Sequence, residues 1–213
     1  AVVKIIDLAK KQVVTDGGTP AIQYDYLVLA LGAMVNFFHT PGADQYALPL
    51  YTMEDAIRLK EHILKTFEAV DKTPALMDDG ALTFCVVGGG PTGVELAGAL
   101  VELLRAELKE DYPNLPVDKA EVLLYEHSPH LLGTFAPKLS AYAQKALEER
   151  RVKVHTGTGV SKIGSGSIEL STGATVKTHT TVWAAGLQAN PIVSSLGVEM
   201  VHGGRIPVGP DLQ

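Results

Sequence analysis

The chain has 213 residues, 46% of them hydrophobic, which suffices for one large or two small globular domains. Its net charge of −6 and the lack of a Lys/Arg cluster argue against a nucleic-acid-binding surface. The single cysteine, Cys85, cannot form an intrachain disulfide and suits a reducing compartment, and we find no signal peptide or long apolar span. Because the sequence begins at Ala1 in a strand-like run, we expect an excised piece of a longer protein.

Residues 1–31 are predicted to be all β. Short runs of β-forming residues are separated by Asp and Gly, which is typical of a meander. The last run loses its polar alternation after Asp25, as a strand buried on both faces should. The three predicted strands are Val2–Asp7, Lys11–Thr15 and Ile22–Ala30.

A loop is predicted from residue 36 to 49, where Pro41, Gly42 and Pro49 interrupt regular structure. A helix then begins with Thr52 as N-cap, and Asp55 stands at the capping-box spacing. Residues 72–80 provide the first credible domain boundary. The apolar face of the helix is predicted to contain Met53, Ala56, Ile63, Phe67 and Val70.

The central feature of the sequence is a glycine-rich turn between an apolar strand at 82–87 and a helix that starts near residue 91. Gly88, Gly90 and Gly93 fit G-x-G-x-x-G, which has physical meaning in this strand–turn–helix context. The glycines would allow a tight turn, close approach of a pyrophosphate and close helix–strand packing. Three glycines can also form a tight turn without a ligand. We interpret the turn as a dinucleotide site, with contacts from Gly88, Gly89, Gly90, Pro91, Thr92 and Gly93.

A second parallel strand is predicted at 121–126 and ends in an acid. The preceding helix, with Val94, Ala97, Val101 and Leu108 on one face, should end before Pro113. A carboxylate at Glu126 would accept hydrogen bonds from the adenosine ribose and repel a 2′-phosphate, which favours NAD over NADP. Glu126 lies 33 positions beyond Gly93, farther than the usual spacing of about 20. The alternative is an ordinary solvated glutamate.

Polar residues follow Glu126 directly, and His127 is predicted to contact the cofactor edge. His127, Ser128 and His130 resemble a metal or catalytic cluster, but no cysteine or second carboxylate completes it, so we favour polar loop residues and predict no metal site. A helix should follow from Pro137 to about residue 150, and then a short strand at 152–155.

The pattern changes to hairpins from residue 159 to 185. This arrangement repeats that of residues 1–33, since in both cases a meander leads to an apolar strand, small residues and a glycine. The repeated ends are Leu29-Ala30-Leu31-Gly32 and Ala184-Ala185-Gly186. We therefore expect parts of two related domains.

These motifs resemble the flavoprotein reductases with two dinucleotide-binding domains, and most of all the type II NADH dehydrogenases, which are single-subunit NADH:quinone oxidoreductases. Related reductases share the motifs, so the superfamily is better supported than the family. The residues that carry the likeness are 26–33, 87–95, 124–126, 131–132 and 183–186.

The resemblance implies an α/β fold in which a Rossmann-like NAD(P)-binding domain is inserted in a partial FAD-binding domain, each with a β-meander. Residues 1–80 would belong to the FAD domain, 81–187 would form the NAD(H) domain, and 188–213 would return to the FAD domain. An earlier glycine fingerprint for FAD and the family's later Gly-Asp are missing. Ala30 and Gly32 would lie on the FAD side, Glu95 near the nicotinamide, and Ala185 and Gly186 along the bound nucleotide. A helix glutamate near a favourable dipole is an equally good interpretation of Glu95.

The resemblance also implies that NADH passes hydride to FAD, which reduces a quinone, with no catalytic acid or base required of the protein. The cofactors would be NAD(H) and FAD, and we expect this piece to hold FAD poorly and to be inactive alone. The full-length protein would be cytoplasmic and peripheral at the inner face of the cell membrane, through parts not in this sequence, and a homodimer is left open. The alternatives are a reductase with a disulfide or ferredoxin acceptor and an NADH-sensing flavoprotein or interaction module.

Overall fold

The computed structural model describes residues 1–113 and 115–212. The strands are β1 (Val3–Asp7), β2 (Gln12–Thr15), β3 (Ile22–Gln23), β4 (Ala33–Val35), β5 (Leu48–Pro49), β6 (Thr83–Val87), β7 (Glu121–Tyr125), β8 (Lys153–His155), β9 (Val160–Ile163), β10 (Ser167–Leu170), β11 (Thr175–Lys177), β12 (Thr180–Trp183) and β13 (Leu187–Ala189). The α-helices are α1 (Ala43–Tyr46), α2 (Met53–Lys72), α3 (Pro91–Asp111) and α4 (Pro137–Glu149). Short 3₁₀ helices cover Pro74–Asp79, Val117–Lys119 and Pro191–Leu196.

The chain divides into two compact units. One contains residues 1–36 and the segment from Leu187 onward, and the other contains Phe37–Gly186. Residues 37–80 therefore group with the glycine-rich turn, whereas the sequence assigned residues 1–80 to the FAD domain. The functional assignment of residues 1–80, 81–187 and 188–213 to FAD and NAD(H) domains stays a prediction.

The second unit is built on a five-stranded parallel sheet in the order β5-β12-β6-β7-β8. The central strand β6 is buried along most of its length, since Phe84, Cys85 and Val86 have no exposed surface. Helix α3 connects β6 to β7 in the βαβ unit that the sequence predicted. The α/β, Rossmann-like fold class is confirmed.

Helices cover the sheet and supply its core. Helix α2 packs against β5 and β12, α3 against β6 and β7, and α4 against β8. The predicted capping box of α2 is confirmed, because the Asp55 carboxylate accepts the Thr52 N–H at 2.8 Å and the Thr52 hydroxyl accepts the Asp55 N–H at 3.1 Å. Of the residues predicted to form the apolar face of α2, Met53 and Ala56 are exposed, whereas Ile63, Phe67 and Val70 are buried. The buried apolar face starts at Leu59.

The predicted loop at 36–49 is partly wrong, because it contains α1 and β5. Pro49 is compatible with a strand here because β5 lies at the edge of the sheet, where a missing N–H is tolerated. Gly42 precedes α1 with φ 75°, and a Cβ there would lie 2.0 Å from the Ile163 carbonyl oxygen. Strands β9, β10 and β11 form the predicted antiparallel meander.

The first unit contains two small antiparallel sheets, β1-β2-β3 and β4-β13. The predicted strand Ile22–Ala30 is wrong beyond Gln23, since residues 24–32 form no regular structure and Tyr26 is 93% exposed. An apolar run becomes a central strand only when neighbouring strands bind its backbone, and no described strand pairs with residues 24–32. Ala30 and Gly32 lie in this segment. Within the described part of the chain, every helix is too short or too polar to cross a bilayer.

Candidate functional site

A cavity of about 400 Å³ lies at the carboxyl ends of the parallel strands. It is bordered by the ends of three adjacent strands, at Gly88 after β6, Glu126 after β7 and Ala185 after β12. The chain leaves β6 for β7 on one side, while β12 lies on the other side of β6, so the connection order reverses at this point. Such a switch point at the carboxyl ends is where open α/β sheets bind ligands.

The glycine-rich turn has the geometry that the sequence predicted. Gly88 has φ 112°, and a Cβ there would lie 2.6 Å from the Ala184 carbonyl oxygen. A Cβ on Gly93 would lie 1.8 Å from the Gly88 carbonyl oxygen, so α3 can pack on the turn only without a side chain. A Cβ on Gly90, in contrast, meets nothing within 4 Å. Gly88 and Gly93 are therefore required by the fold, whereas Gly90 leaves space beside the helix.

The amino end of α3 provides a cradle of backbone donors. Gly90 is the N-cap and Pro91 the first helical residue, and no side chain caps the helix. The first N–H donor within the helix comes from Val94, which bonds the Gly90 carbonyl at 3.0 Å. The N–H groups of Thr92 and Gly93 thus have no partner inside the helix, and they lie at its positive end, where anions are stabilised.

Glu126 is fixed by the backbone on both sides. One carboxylate oxygen accepts the Gly89 N–H at 2.6 Å, and the other accepts the Ser128 N–H at 2.6 Å. The Glu126 main chain is held as well, because its N–H donates to the His155 carbonyl and its carbonyl accepts from Thr158. A carboxylate has about four acceptor positions, so two remain for ligand hydroxyls. Glu126 is therefore an ordered acceptor beside the glycine turn.

Gly89 is held tightly, which the motif alone did not indicate. Its carbonyl accepts the Leu132 N–H at 2.8 Å while its N–H donates to Glu126. A Cβ would lie 2.6 Å from Leu131 Cδ2 and 2.8 Å from Glu126 Cβ. The motif treats this position as variable, but the loop after β7 packs so closely here that only glycine fits.

The remaining polar groups near Glu126 give no metal centre. His127 is exposed and its ring lies beside Gly159, where a Cβ would be 3.2 Å from Nδ1. Among residues 1–113 and 115–212, no three His, Cys, Asp or Glu residues are close enough to hold a metal ion. Tyr125 stacks on His155 with ring centroids 4.9 Å apart, and burial raises the pKa of its phenol to about 12. Tyr125 therefore stays neutral at physiological pH.

Of the other predicted site residues, some lie at the cavity and others lie away from it. Ala185 lines the cavity, while Gly186 lies against the ring of Phe38. Glu95 is exposed on α3 and lines a shallow groove with Gly98 and α4, so the structure does not bring it into the cavity. Its nicotinamide role stays a prediction, as do the FAD-side roles of Ala30 and Gly32, which lie in the other unit.

Several residues that line the cavity were not identified from the sequence. Most of them have ordinary side chains in segments interpreted as loops or strand ends and belong to no motif. Trp183 lies in the motif at 183–186 but was not identified as a site residue, and the doublet Phe37-Phe38 within a predicted loop was the available signal for Phe38. The missed residues are Phe38, Thr40, Gly159, Val160 and Trp183.

Comparison with known proteins supports this description. The chain is 34% identical over 223 aligned residues to the type II NADH:quinone oxidoreductase NdhA of Mycobacterium tuberculosis, covering 99% of this chain and 47% of that protein. It is also 34% identical over 181 residues to the mitochondrial external alternative NAD(P)H-ubiquinone oxidoreductase B1 of Solanum tuberosum, covering 81% of this chain and 31% of that protein. The chain thus spans less than half the length of these relatives, and the predicted resemblance to type II NADH dehydrogenases is confirmed.

Solved structures show the same fold. NDH2 from Plasmodium falciparum, in complex with NADH, matches with a TM-score of 0.81 at 22% identity, covering 97% of this chain and 44% of that one. A NAD-dependent persulfide reductase from A. fulgidus matches with a TM-score of 0.72 at 25% identity, covering 98% of this chain and 35% of that one. The family model for pyridine nucleotide-disulphide oxidoreductases matches residues 1–213. From its fold, its glycine turn and this match, the chain belongs to the pyridine nucleotide-disulphide oxidoreductase family.

Proposed function

We propose that this chain is the NADH-binding portion of a flavin-dependent NADH dehydrogenase that passes hydride to FAD and electrons to a quinone. The observation that carries the proposal is a glycine turn that opens α3 without a side-chain cap and is bonded to the ordered carboxylate of Glu126, with Gly88 and Glu126 both lining one cavity. The relatives named as NADH:quinone oxidoreductases support the choice of electron donor and acceptor.

The residues present suit a dinucleotide. The pyrophosphate would lie at the amino end of α3, where Gly90 leaves room and the N–H groups of Thr92 and Gly93 would donate to it. The free acceptor positions of Glu126 would bind the ribose hydroxyls, and its charge would repel the 2′-phosphate of NADPH. His127 would flank the same edge of the ligand. The protein thus binds and orients the nucleotide.

When bound, the nicotinamide and the flavin supply the redox chemistry, and hydride transfer depends mainly on their alignment. No acid or base of this chain is needed for that step. Ala185, which follows β12, would let the nucleotide pass close to the backbone. We propose that flavin is bound weakly by the 213-residue chain and fully only by the full-length protein. Binding of a membrane surface by the full-length protein stays a prediction from the resemblance.

Binding measurements on the purified chain test the proposal. Isothermal titration should show saturable binding of NADH, weaker binding of NADPH, and loss of NADH binding in Gly90→Val. Absence of saturable NADH binding would contradict the function, whereas a stoichiometric amount of tightly held flavin would contradict only the flavin part.

The electron acceptor needs a separate experiment on the full-length protein. Quinone, disulfide and ferredoxin acceptors are offered in parallel with NADH, and the proposal expects fast turnover with quinone. Cys85 is fully buried and burial raises its thiol pKa to about 12, so this chain supplies no redox-active thiol for a disulfide acceptor. Slow turnover with all acceptors, together with an NADH-dependent change in oligomeric state, would favour the sensing alternative.

A further inference from the structure

A leucine in the left-handed conformation lies in the loop after β7. Leu132 has φ 51°, a value that glycine adopts freely but that crowds the Cβ of other residues. Bulky residues keep such a backbone only where the surrounding structure determines it, and these positions cluster at functional sites. The loop places the strained conformation at a leucine although the next residue, Gly133, is a glycine.

Contacts on all sides hold Leu132 in this conformation. Its neighbour Leu131 is completely buried, and the Leu132 side chain packs against the same hydrophobic core. The Leu132 N–H donates to the Gly89 carbonyl, and the Leu132 carbonyl accepts the Phe135 N–H, each at 2.8 Å. Apolar packing thus offsets the backbone strain at Leu132, and the loop is bonded to the glycine turn.

The Leu132–Gly89 hydrogen bond orients the peptide group that joins Gly89 to Gly90. In a trans peptide the carbonyl and the N–H point in opposite directions, and the described residues contain no cis peptide. Because the Gly89 carbonyl is directed at Leu132, the Gly90 N–H faces away from the loop after β7. The peptide before Gly89 is fixed as well, since the Gly89 N–H donates to Glu126 at 2.6 Å. Contacts outside the turn therefore set the direction of the Gly90 N–H.

The Gly90 N–H is one of the backbone donors at the amino end of α3. Gly90 is the N-cap, and the first N–H groups of a helix have no partner inside it. Pro91 has no N–H, so the donors at this end come from Gly90, Thr92 and Gly93. The N–H groups of Thr92 and Gly93 are oriented by the helix itself. The Gly90 N–H precedes the helix, and its direction depends on the Leu132–Gly89 bond.

We propose that Leu132 is a positioning residue for the pyrophosphate of the dinucleotide. Through the Gly89 carbonyl it holds the Gly90 N–H in the direction that donates to the phosphate. The inference rests on the proposed function, and it assigns part of the phosphate contact to a residue outside the glycine fingerprint. Leu132 is not among the residues that line the cavity, so it acts through Gly89.

Comparing ligands with and without phosphate tests this role. ADP-ribose contains the pyrophosphate, whereas adenosine has the same nucleoside without it. Leu132→Gly permits the same φ and keeps the N–H, but it removes the apolar side chain that anchors the loop. Because one donor is loosened, binding of NADH and ADP-ribose should weaken about 3- to 10-fold, and adenosine binding should change by less than about twofold. Leu132→Met keeps an apolar anchor and should bind all three ligands like the wild type.

Leu212→Gly is the matched control. Leu212 is also a leucine with positive φ, at 66°, and its N–H also donates to a backbone carbonyl, that of Gly209. It is 80% exposed and belongs to the other compact unit, so this variant should leave every affinity unchanged. Thermal unfolding shows whether each variant is folded. If Leu132→Gly is not, Leu132→Asn takes its place, because asparagine tolerates the left-handed conformation.

NMR on the ¹⁵N-labelled chain observes the oriented donor directly. Saturation with ADP-ribose should move the Gly90 amide proton downfield in the wild type, and by a smaller amount in Leu132→Gly. The amide of residue 132 should also exchange with solvent faster in that variant, because its bond to Gly89 opens more often. A leucine that only stabilises the loop would leave the response of the Gly90 amide to the ligand unchanged.

The outcomes separate the positioning role from the proposed function. If the wild-type chain binds neither NADH nor ADP-ribose, both fail. If it binds them, and Leu132→Gly weakens ADP-ribose and adenosine equally or neither, only the positioning role is overturned. An unchanged response of the Gly90 amide in Leu132→Gly would also overturn it, and this readout decides alone if adenosine binds too weakly to measure.

Discussion

Replacing Glu126 with glutamine changes one atom and tests whether this side chain joins the glycine turn to the loop after β7. Both carboxylate oxygens accept backbone N–H groups, from Gly89 and from Ser128, each at 2.6 Å. Glutamine has one acceptor oxygen, and its NH₂ group would face one of these two N–H donors. The substitution therefore removes one hydrogen bond and places the NH₂ group of the glutamine against a backbone N–H, so that two donors face each other.

The expected loss in unfolding free energy follows from the hydrogen bond that Glu126→Gln removes. Hydrogen bonds to charged groups contribute about 1.5–3 kcal/mol, and because Glu126 is half-buried we take the low end, a loss of about 1–2 kcal/mol in unfolding free energy. Loss of the negative charge should also narrow the NADH-over-NADPH preference by about tenfold, which corresponds to 1.4 kcal/mol. Urea unfolding measures the first effect and paired titrations measure the second.

Glu121→Gln is the control, because Glu121 lies at the other end of β7 and its side chain forms an ion pair with Lys153 at the surface. An exposed ion pair contributes little, so this variant should lose less than about 0.5 kcal/mol and keep the nucleotide preference. If the two variants unfold at the same urea concentration, Glu126 does not hold the turn. If the NADH to NADPH affinity ratio of Glu126→Gln equals that of the wild type, the ribose assignment is rejected.

Three further predictions concern Gly90, Gly93 and His62. Gly90→Ala should unfold within about 0.5 kcal/mol of wild type but bind NADH more weakly, since its Cβ meets only open space where the pyrophosphate is proposed; equal affinity in a titration would contradict the site. Gly93→Ala should lose about 2 kcal/mol or more in urea unfolding because its Cβ would meet the turn, whereas Gly98→Ala in the same helix should gain about 0.5–1 kcal/mol. Burial lowers the pKa of His62 below its ordinary value of 6.5, so the unfolded chain binds more protons and stability should fall as pH drops through and below 6.5. Urea unfolding from pH 5 to 8 should show this slope in the wild type and a shallower one in His62→Gln.

The parts of the fold that follow from local rules were predictable from the sequence. The capping box of α2, the strand–turn–helix around Gly88 and the acid at the end of β7 each depend on residues close in the chain. Hydrophobic periodicity also indicated much of the buried face of α2, although Met53 and Ala56 near its start are exposed. Periodicity reports which face is apolar, and it does not report how far the neighbouring element extends.

The sequence indicated the glycines and the acid beside the cavity, but it did not indicate the other residues that line the cavity. Glycines and an acid are recognised by residue type, whereas Phe38 and Thr40 reach the site through a turn whose conformation is unusual for its sequence. No propensity scale predicts a left-handed Phe-His pair, because the packing of Phe37 on Trp183 holds the turn against local preference. The missed residues are thus those placed by contacts distant in sequence.

The predicted strand Ile22–Ala30, which is wrong beyond Gln23, shows the same limit of sequence-based prediction. Val28 is 86% exposed and Tyr26 93% exposed, although the composition of this run is that of a buried strand. Strand β12 is less apolar, since two of its four residues are threonine, yet it is buried, and the difference is that β5 and β6 pair with it on both sides. An apolar sequence therefore specifies that a segment is suited to burial between partners, and strand formation requires those partners to lie alongside it. Whether such partner strands are present cannot be inferred from the sequence of the segment itself.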